Sequence, residues 1–228
     1  MLSPKMEDYL KVVYELQAEG ADTVSTSSIA ETLDVTPPTA TSMMETLEQR
    51  GLVDREKYKG VTLTPEGETV ALEVLRHHRL LETYLAEALD YDWAAVHDEA
   101  DRLEHHISEE FERRVADVLG DPDVDPHGDP IPTDALDPLD TTGESTLREY
   151  EEGDAVVVER VSDRDPEGLA YLQDAGITPG TAIEIVEVAP IGMVTVRFED
   201  GDTVSLPDDV AATIRVRDAD GVEEAGLA

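Results

Sequence analysis

Apolar residues recur at helical spacing through the first half of the chain and alternate through its last third. After Ser3-Pro4, the residues Tyr9, Val12, Val13 and Leu16 share one face, which predicts a helix from Pro4 to about Glu19. A second, short helix carries Ile29, Ala30 and Leu33. A third opens at Thr36-Pro37, turns Met43, Met44 and Leu47 inward, and stops at Gly51. Two helices joined by a short turn, the second opening with Thr and Ser, form a helix-turn-helix pattern. The stretch LVDREKYKGVTLT alternates on either side of Lys59-Gly60 and predicts a β-hairpin, so the whole reads as a winged helix-turn-helix. Thr64-Pro65 starts a long helix to about Leu89 with Val70, Val74 and Leu81 on one face. Asp92 caps another, predicted from Trp93 to about Leu119, with an apolar stripe of Ile107, Phe111, Val115 and Val118.

From Gly120 to Gly153 the chain is rich in Pro, Gly and Asp and predicts a linker or irregular loop. Beyond it, DAVVVERV, AIEIVEV, MVTVRFE and TVSLP predict short strands, with a small helix around Pro166 to Ala175. A five-stranded, SH3-like small barrel fits the roughly 65 residues available better than a sandwich does. The last eleven residues, 218–228, predict a frayed tail.

Composition narrows the chemistry. Among 228 residues there is no cysteine, so thiolate metal sites, disulfides and cysteine nucleophiles are excluded, and any metal must be held by oxygen and imidazole. The N-terminus lacks the layout of a signal peptide and no long apolar run exists, which predicts a soluble cytoplasmic protein. The 54 Asp and Glu against 17 Lys and Arg leave a formal charge of −37, ordinarily an argument against a nucleic-acid partner. The acidic residues are spread over the whole chain, however, and only four lysines occur. This composition resembles that of salt-accumulating halophiles such as halophilic archaea, where molar salt screens repulsion to within about 3 Å. Global charge then reports on the solvent, and local charge on the partner.

Within VHDEADRLEHHISEE, residues 96–110, three histidines stand among carboxylates. On one continuous helix, Asp101, Glu104 and His105 lie about 40°, −20° and 80° from His97, while His106 faces away. Asp101, Glu104 and His105 can converge on one cation, and the preceding helix adds His78 and Glu82 at i, i+4. Such sets suit manganese or ferrous iron and, less selectively, zinc and cobalt. The competing reading is the solvated face of a helix in an acidic protein.

MEDYLKVVYEL, IAETLDVTPPTATSMMETLEQRGLV, LTPEGETVALEVLRHHRLLETYL, VHDEADRLEHHISEE and PHGDPIP together resemble, in order, segments of the metal-dependent transcriptional repressors related to the diphtheria toxin repressor and the manganese transport regulator. The C-terminal part is similar to the SH3-like, FeoA-type domain those repressors share with the ferrous-transport accessory protein. The resemblance implies a mainly α N-terminal region followed by an all-β small barrel. It implies a winged DNA-binding domain over 1–73, a helical dimerisation and metal-binding domain over 74–142, a linker at 143–152 and the SH3-like domain over 153–217. It also implies a regulatory metal site of Asp8, Asp101, Glu104 and His105, and an ancillary site of His78, Glu82 and His97 with Asp163 or Glu159 as a further candidate. Carboxylates stand at Asp8 and Asp101 where the iron-responsive branch has sulfur, which favours Mn²⁺ while leaving Fe²⁺ open. Lys11 replaces a second acid of the manganese branch and puts a close two-metal cluster in doubt.

By the same resemblance Thr36, Pro38, Thr39, Thr41 and Ser42 lead the recognition helix; capping is the other role open to Thr36 and Thr39. Arg50, Arg55, Lys57 and Lys59 cluster at its end and on the wing, where their charges cancel those of Glu45, Glu48, Asp54 and Glu56. In so acidic a chain that neutral patch marks the expected DNA face. The function implied is repression of metal-uptake genes by a metal-loaded homodimer on operator DNA. Two alternatives are a winged-helix regulator answering another small effector and a di-metal carboxylate enzyme, the latter short of the four ligand-bearing helices such bundles use.

Overall fold

The structure, a computed structural model, describes residues 2–18, 20–56, 59–139 and 145–219. Two compact units are present. One comprises Met1–Tyr84, Glu99–Asp123 and Pro130–Thr142; the other comprises Leu85–Asp98, Val124–Asp129 and Gly143–Ala228. The predicted tail, apart from Asp218 and Ala219, lies outside the described residues, as does Lys57.

Five elements build the start of the first unit: α1 (Pro4–Ala18), α2 (Thr26–Thr32), α3 (Pro37–Gln49), β1 (Val53–Glu56) and β2 (Gly60–Leu63). Ser25 caps α2 by accepting from Ser28 N–H, and Thr36 caps α3 by accepting from Thr39 N–H. Between them Asp34 turns the chain at φ 47°, a left-handed conformation that aspartate tolerates. Leu10, Val13, Ile29, Ala40, Met44, Leu47, Val61, Leu72 and Leu75 form the core beneath, so the apolar faces read from the sequence meet one another. The wing is an antiparallel pair running from Val53 opposite Leu63 to Glu56 opposite Gly60.

Helix α4 (Pro65–Leu89) follows. Its middle is not simply amphipathic, because Arg76, His77, His78, Arg79, Glu82 and Thr83 are buried with the leucines. The cost of burying such groups is offset by partners. Arg76 donates to Glu112 at 2.5 Å, to the Pro132 carbonyl at 2.6 Å and to Asp134, and Arg79 donates to the Pro130 carbonyl at 2.5 Å.

The single helix expected from Trp93 to Leu119 is in fact two, α5 (Val96–Leu103) and α6 (Glu109–Leu119). Ser108 restarts the helix by accepting from Phe111 N–H, and Glu109, Glu110 and Glu112 in the first turn favour the positive end of its dipole. Gly120 ends α6 at φ 79°. Trp93 is outside both helices; its indole N–H donates to the Pro126 carbonyl at 2.7 Å.

In the second unit an antiparallel sheet runs β3-β8-β4-β5-β6-β7, from β3 (Ser145–Thr146), β4 (Ala155–Val161), β5 (Ala182–Ala189), β6 (Met193–Phe198), β7 (Thr203–Pro207) and β8 (Ile214–Asp218). It carries α7 (Pro166–Asp174) and the four-residue α8 (Asp208–Ala211). The two-residue β3 adds a strand to the five expected. Val156, Val158, Val161, Leu169, Leu172, Ile185, Val196 and Ile214 fill the core. Part of the presumed linker is also ordered here: Asp125 accepts from His127 N–H and Asp129 N–H, and the His127 carbonyl accepts from Val161 N–H at 2.9 Å. A Cβ on Gly128 would lie 2.0 Å from the Glu159 carbonyl oxygen, which explains the glycine. No helix among the described residues is long and apolar enough to cross a membrane.

Gly67, in the first turn of α4, supplies a test of the packing between that turn and the wing. Alanine there would gain about 1 kcal/mol of helix propensity. Its Cβ would stand 1.9 Å from the Leu52 carbonyl oxygen, however, a backbone atom that cannot swing aside. Gly67→Ala is therefore expected to lower stability by about 2 kcal/mol or more in urea unfolding, against the propensity trend.

Candidate metal centre

Glu104 and His105 are not on the body of α5 but on the turn that ends it. Glu104 N–H still bonds the Ala100 carbonyl at 2.9 Å, and His106 N–H then bonds Leu103 at 2.8 Å, tightening the chain before Ser108. That turn buries Glu104 and points His105 at α1. His106 is exposed.

The His105 Nε2 atom lies 2.7 Å from Asp8 Oδ1 and 3.3 Å from Glu104 Oε1. One donor atom from each of Asp8, Glu104 and His105 lies within 4.8 Å of the others. A cation bound at about 2 Å from each ligand needs donors about 3–4 Å apart, so this set is close to ligating spacing. The Nδ1 atom of the same ring faces Glu7 Oε2 at 2.7 Å. Glu7 thereby fixes the ring so that Nε2 is the nitrogen presented to the centre, the role of an outer carboxylate behind a ligating histidine. Sequence reasoning missed Glu7; one carboxylate among 54 Asp and Glu carries no signal except its adjacency to Asp8.

Asp101 is brought to a different grouping from the one expected. With His78 and Glu104 it forms a second set of donors within 4.8 Å of one another, sharing Glu104 with the first. His78 Nδ1 lies 2.6 Å from Glu104 Oε2 and 3.3 Å from Asp101 Oδ1, and its Nε2 lies 3.1 Å from Glu82 Oε1. The Lys11 ammonium sits on the same carboxylates, 2.9 Å from Asp101 Oδ1 and 2.9 Å from each oxygen of Glu104.

These contacts set the protonation states. Burial and Lys11 oppose a charged His78, yet Glu82, Asp101 and Glu104 outweigh them and hold its pKa well above the usual histidine range. Burial would raise Glu104, but His78 and Lys11 hold it below the ordinary carboxylate value. For Asp8 burial prevails over His105 and Lys11, and its pKa is raised. Lys11 is raised too, because Glu104 and Asp101 overcome the effect of burial. A divalent ion that uses His78 as a ligand must displace the proton held there, so its binding is linked to pH.

His77 is a second residue that sequence reasoning passed over. Its Nδ1 is 3.1 Å from the Glu104 carbonyl and its Nε2 is 3.2 Å from Glu112 on α6. In the other unit, His97 Nδ1 lies 2.9 Å from Asp163 Oδ2. Glu159 instead meets Arg217 at 3.1 Å, so Asp163 is the acid beside His97.

At the expected DNA face, Thr36, Pro38, Thr39 and Ser42 are exposed and Thr41 is half-buried. The Thr36 and Thr39 hydroxyls lie 2.8 Å apart, so Thr36 caps the helix while both remain open to solvent. Arg50 is exposed. Arg55 pairs with Glu48 at 3.3 Å and Glu45 at 3.5 Å, and Lys59 pairs with Glu56 at 2.6 Å. At Arg55 and Lys59 the neutrality read from the sequence takes the form of local ion pairs.

Family models match most of the chain. The family described as iron dependent repressor, N-terminal DNA binding domain, matches residues 1–61, and its metal binding and dimerisation domain matches 64–133. A FeoA domain matches 145–218. The diphtheria toxin repressor of Corynebacterium efficiens is 36% identical over 225 residues, covering 95% of this chain and 96% of that protein. The iron-dependent repressor IdeR of Mycobacterium tuberculosis is 34% identical over 221 residues, covering 92% and 95%. A solved manganese-dependent transcriptional repressor in complex with manganese superposes with a TM-score of 0.87 at 39% identity, covering 93% of this chain and 99% of that one. The chain belongs to the iron-dependent, diphtheria-toxin-repressor family of metal-dependent DNA-binding transcriptional repressors, which are not enzymes.

Proposed function

We propose that this chain represses metal-uptake genes when Mn²⁺ or Fe²⁺ is plentiful, binding operator DNA as a homodimer. The observation that carries the reading is the convergence of Asp8, from α1 of the winged region, with Glu104 and His105, from the turn between α5 and α6. A bound divalent cation supplies the charge and coordination that tie those segments together. Asp8 gives the winged core a ligand on its first helix, Glu7 orients His105, and His77 holds the Glu104 backbone. The donors are carboxylate oxygen and imidazole with no sulfur, which suits Mn²⁺ and Fe²⁺ and also accepts Co²⁺ or Zn²⁺ in vitro. Asp101 serves this regulatory site from the side of His78 and Lys11.

His78, Glu82 and His97, with Asp163, are proposed as ancillary ligands on the strength of the resemblance. Local support is the His78–Glu82 pair in one unit and, separately, the His97–Asp163 pair in the other. The homodimer is proposed to use α6, where Phe111 and Val118 are 43% and 71% exposed although Val115 between them is buried. The functional division 1–73, 74–142 and 153–217 is retained with this reading.

The DNA face is proposed to comprise Thr36, Pro38, Thr39, Thr41 and Ser42 at the start of α3, together with Arg50 at its end, Arg55 and Lys59 at the wing, and Lys57. Because Arg55 and Lys59 already have carboxylate partners, contacting a phosphate exchanges one anion for another and releases few counterions. Affinity then rests on base edges and duplex shape.

Two outcomes are expected. Operator retardation in high-salt buffer should strengthen at least tenfold for the wild type on adding Mn²⁺ or anaerobic Fe²⁺, while Asp8→Ala should bind weakly and equally with and without metal. Retained stimulation in that variant would remove Asp8 from the mechanism. A plot of log affinity against log salt should have a slope shallower than about −3, against about −5 to −9 for a protein making six to ten phosphate contacts. A slope in the steeper range would overturn the account of the paired cations.

A further inference from the structure

We propose that Lys11 is a resident cation standing in the place of a second metal ion, so that the centre takes one divalent ion, at Asp8, Glu104 and His105. This inference rests on the metal-dependent reading above and concerns how many ions the centre holds and what it does before one arrives. The set His78, Asp101 and Glu104 has the oxygen and imidazole donors of a hard-cation site, gathered within 4.8 Å and sharing Glu104 with the neighbouring set. A positive charge is already in contact with it. The Lys11 ammonium lies 2.9 Å from both oxygens of Glu104 and 2.9 Å from Asp101 Oδ1, using its donors on two ligands that a metal would need.

Lys11 cannot readily yield that position. It stands on α1 between the core residues Leu10 and Val12, its side chain is 11% exposed, and Glu104 is 1% exposed. Withdrawing the ammonium would strand a buried carboxylate, and an ion at His78, Asp101 and Glu104 would have to take the Asp101 oxygen that the ammonium already holds, whereas the set Asp8, Glu104 and His105 shares only Glu104 with it. The same contacts join α1 to the end of α5 through the charge of Lys11 itself. Lys11 therefore offsets the repulsion among Asp8, Asp101 and Glu104 that would otherwise hold these segments apart, and the metal-free chain keeps a partly assembled centre.

The test uses the metal-free full chain in molar KCl, as wild type, Lys11→Glu and Lys11→Met. Bound manganese is counted by elemental analysis after dialysis, paramagnetic resonance reports whether ions are exchange-coupled, and melting is followed with and without Mn²⁺. The wild type should show only isolated Mn²⁺ signals. Lys11→Glu should take up one more ion per chain and show a coupled pair; its folding only when Mn²⁺ is present would also support the proposal. Lys11→Met adds only a soft thioether, a poor ligand for Mn²⁺, and should gain no ion. It should melt at least about 5 °C below the wild type without metal and gain more on adding Mn²⁺, as expected when a buried pair loses one partner. A coupled pair in the wild type, no added ion in Lys11→Glu, or wild-type melting of metal-free Lys11→Met would each overturn the proposal. Operator binding measured in parallel separates the two readings: failure of Mn²⁺ to strengthen it counts against the repressor mechanism, while the ion count and the melting shift judge Lys11 alone.

Discussion

Glu104 is a buried carboxylate, and a buried negative charge persists only where positive or proton-donating groups surround it. Three side chains meet that requirement from three segments: Lys11 from α1, His78 from α4 and His105 from the adjoining position on its own turn. Each is held by a different part of the fold. The winged core carries Lys11, the buried middle of α4 carries His78, and the tightened end of α5 carries Glu104 and His105. The centre is thus a place where separately folded elements must agree in position.

The exterior and interior of the first unit treat charge in opposite ways. Outside, carboxylates outnumber cations and rely on solvent ions. Inside, the polar residues of α4 are matched individually, as in the contacts of Arg76 with Glu112, the Pro132 carbonyl and Asp134. Screening by salt weakens surface pairs far more than buried ones. A chain with this composition can therefore tolerate large changes in its solvent while its ligand spacing leans on shielded pairs such as Lys11 with Glu104 and His78 with Glu104.

The winged region was legible because its signals are local: Ser25 and Thr36 as caps, Pro37 in a first turn, and apolar residues that stay in phase along each helix. Asp101 and Glu104 were readable as neighbours for the same reason, being three residues apart. The break between α5 and α6 was not, because the apolar stripe through Ile107 and Phe111 continues the helical period across it, and Ser108 marks it with a single hydroxyl. A continuous helix places His105 by angle alone. The observed turn sends it to Asp8 and Glu7, while Asp101 meets His78 and Lys11. Lys11 itself stood out in the sequence only as a departure from a resembling family, and its contacts with Asp101 and Glu104 depend on a separation of some ninety residues that no local pattern encodes. Glu7 and His77 act through atoms of other residues, which spacing does not reveal.

His77 reaches from the Glu104 main chain to Glu112, and Arg76 grips that same glutamate from the neighbouring position on α4. The ligand-bearing turn and the first turn of α6 are in this way clamped to one rod. The helix that bears Phe111 and Val118 is therefore tied to Glu104 by side-chain hydrogen bonds as well as by the intervening loop.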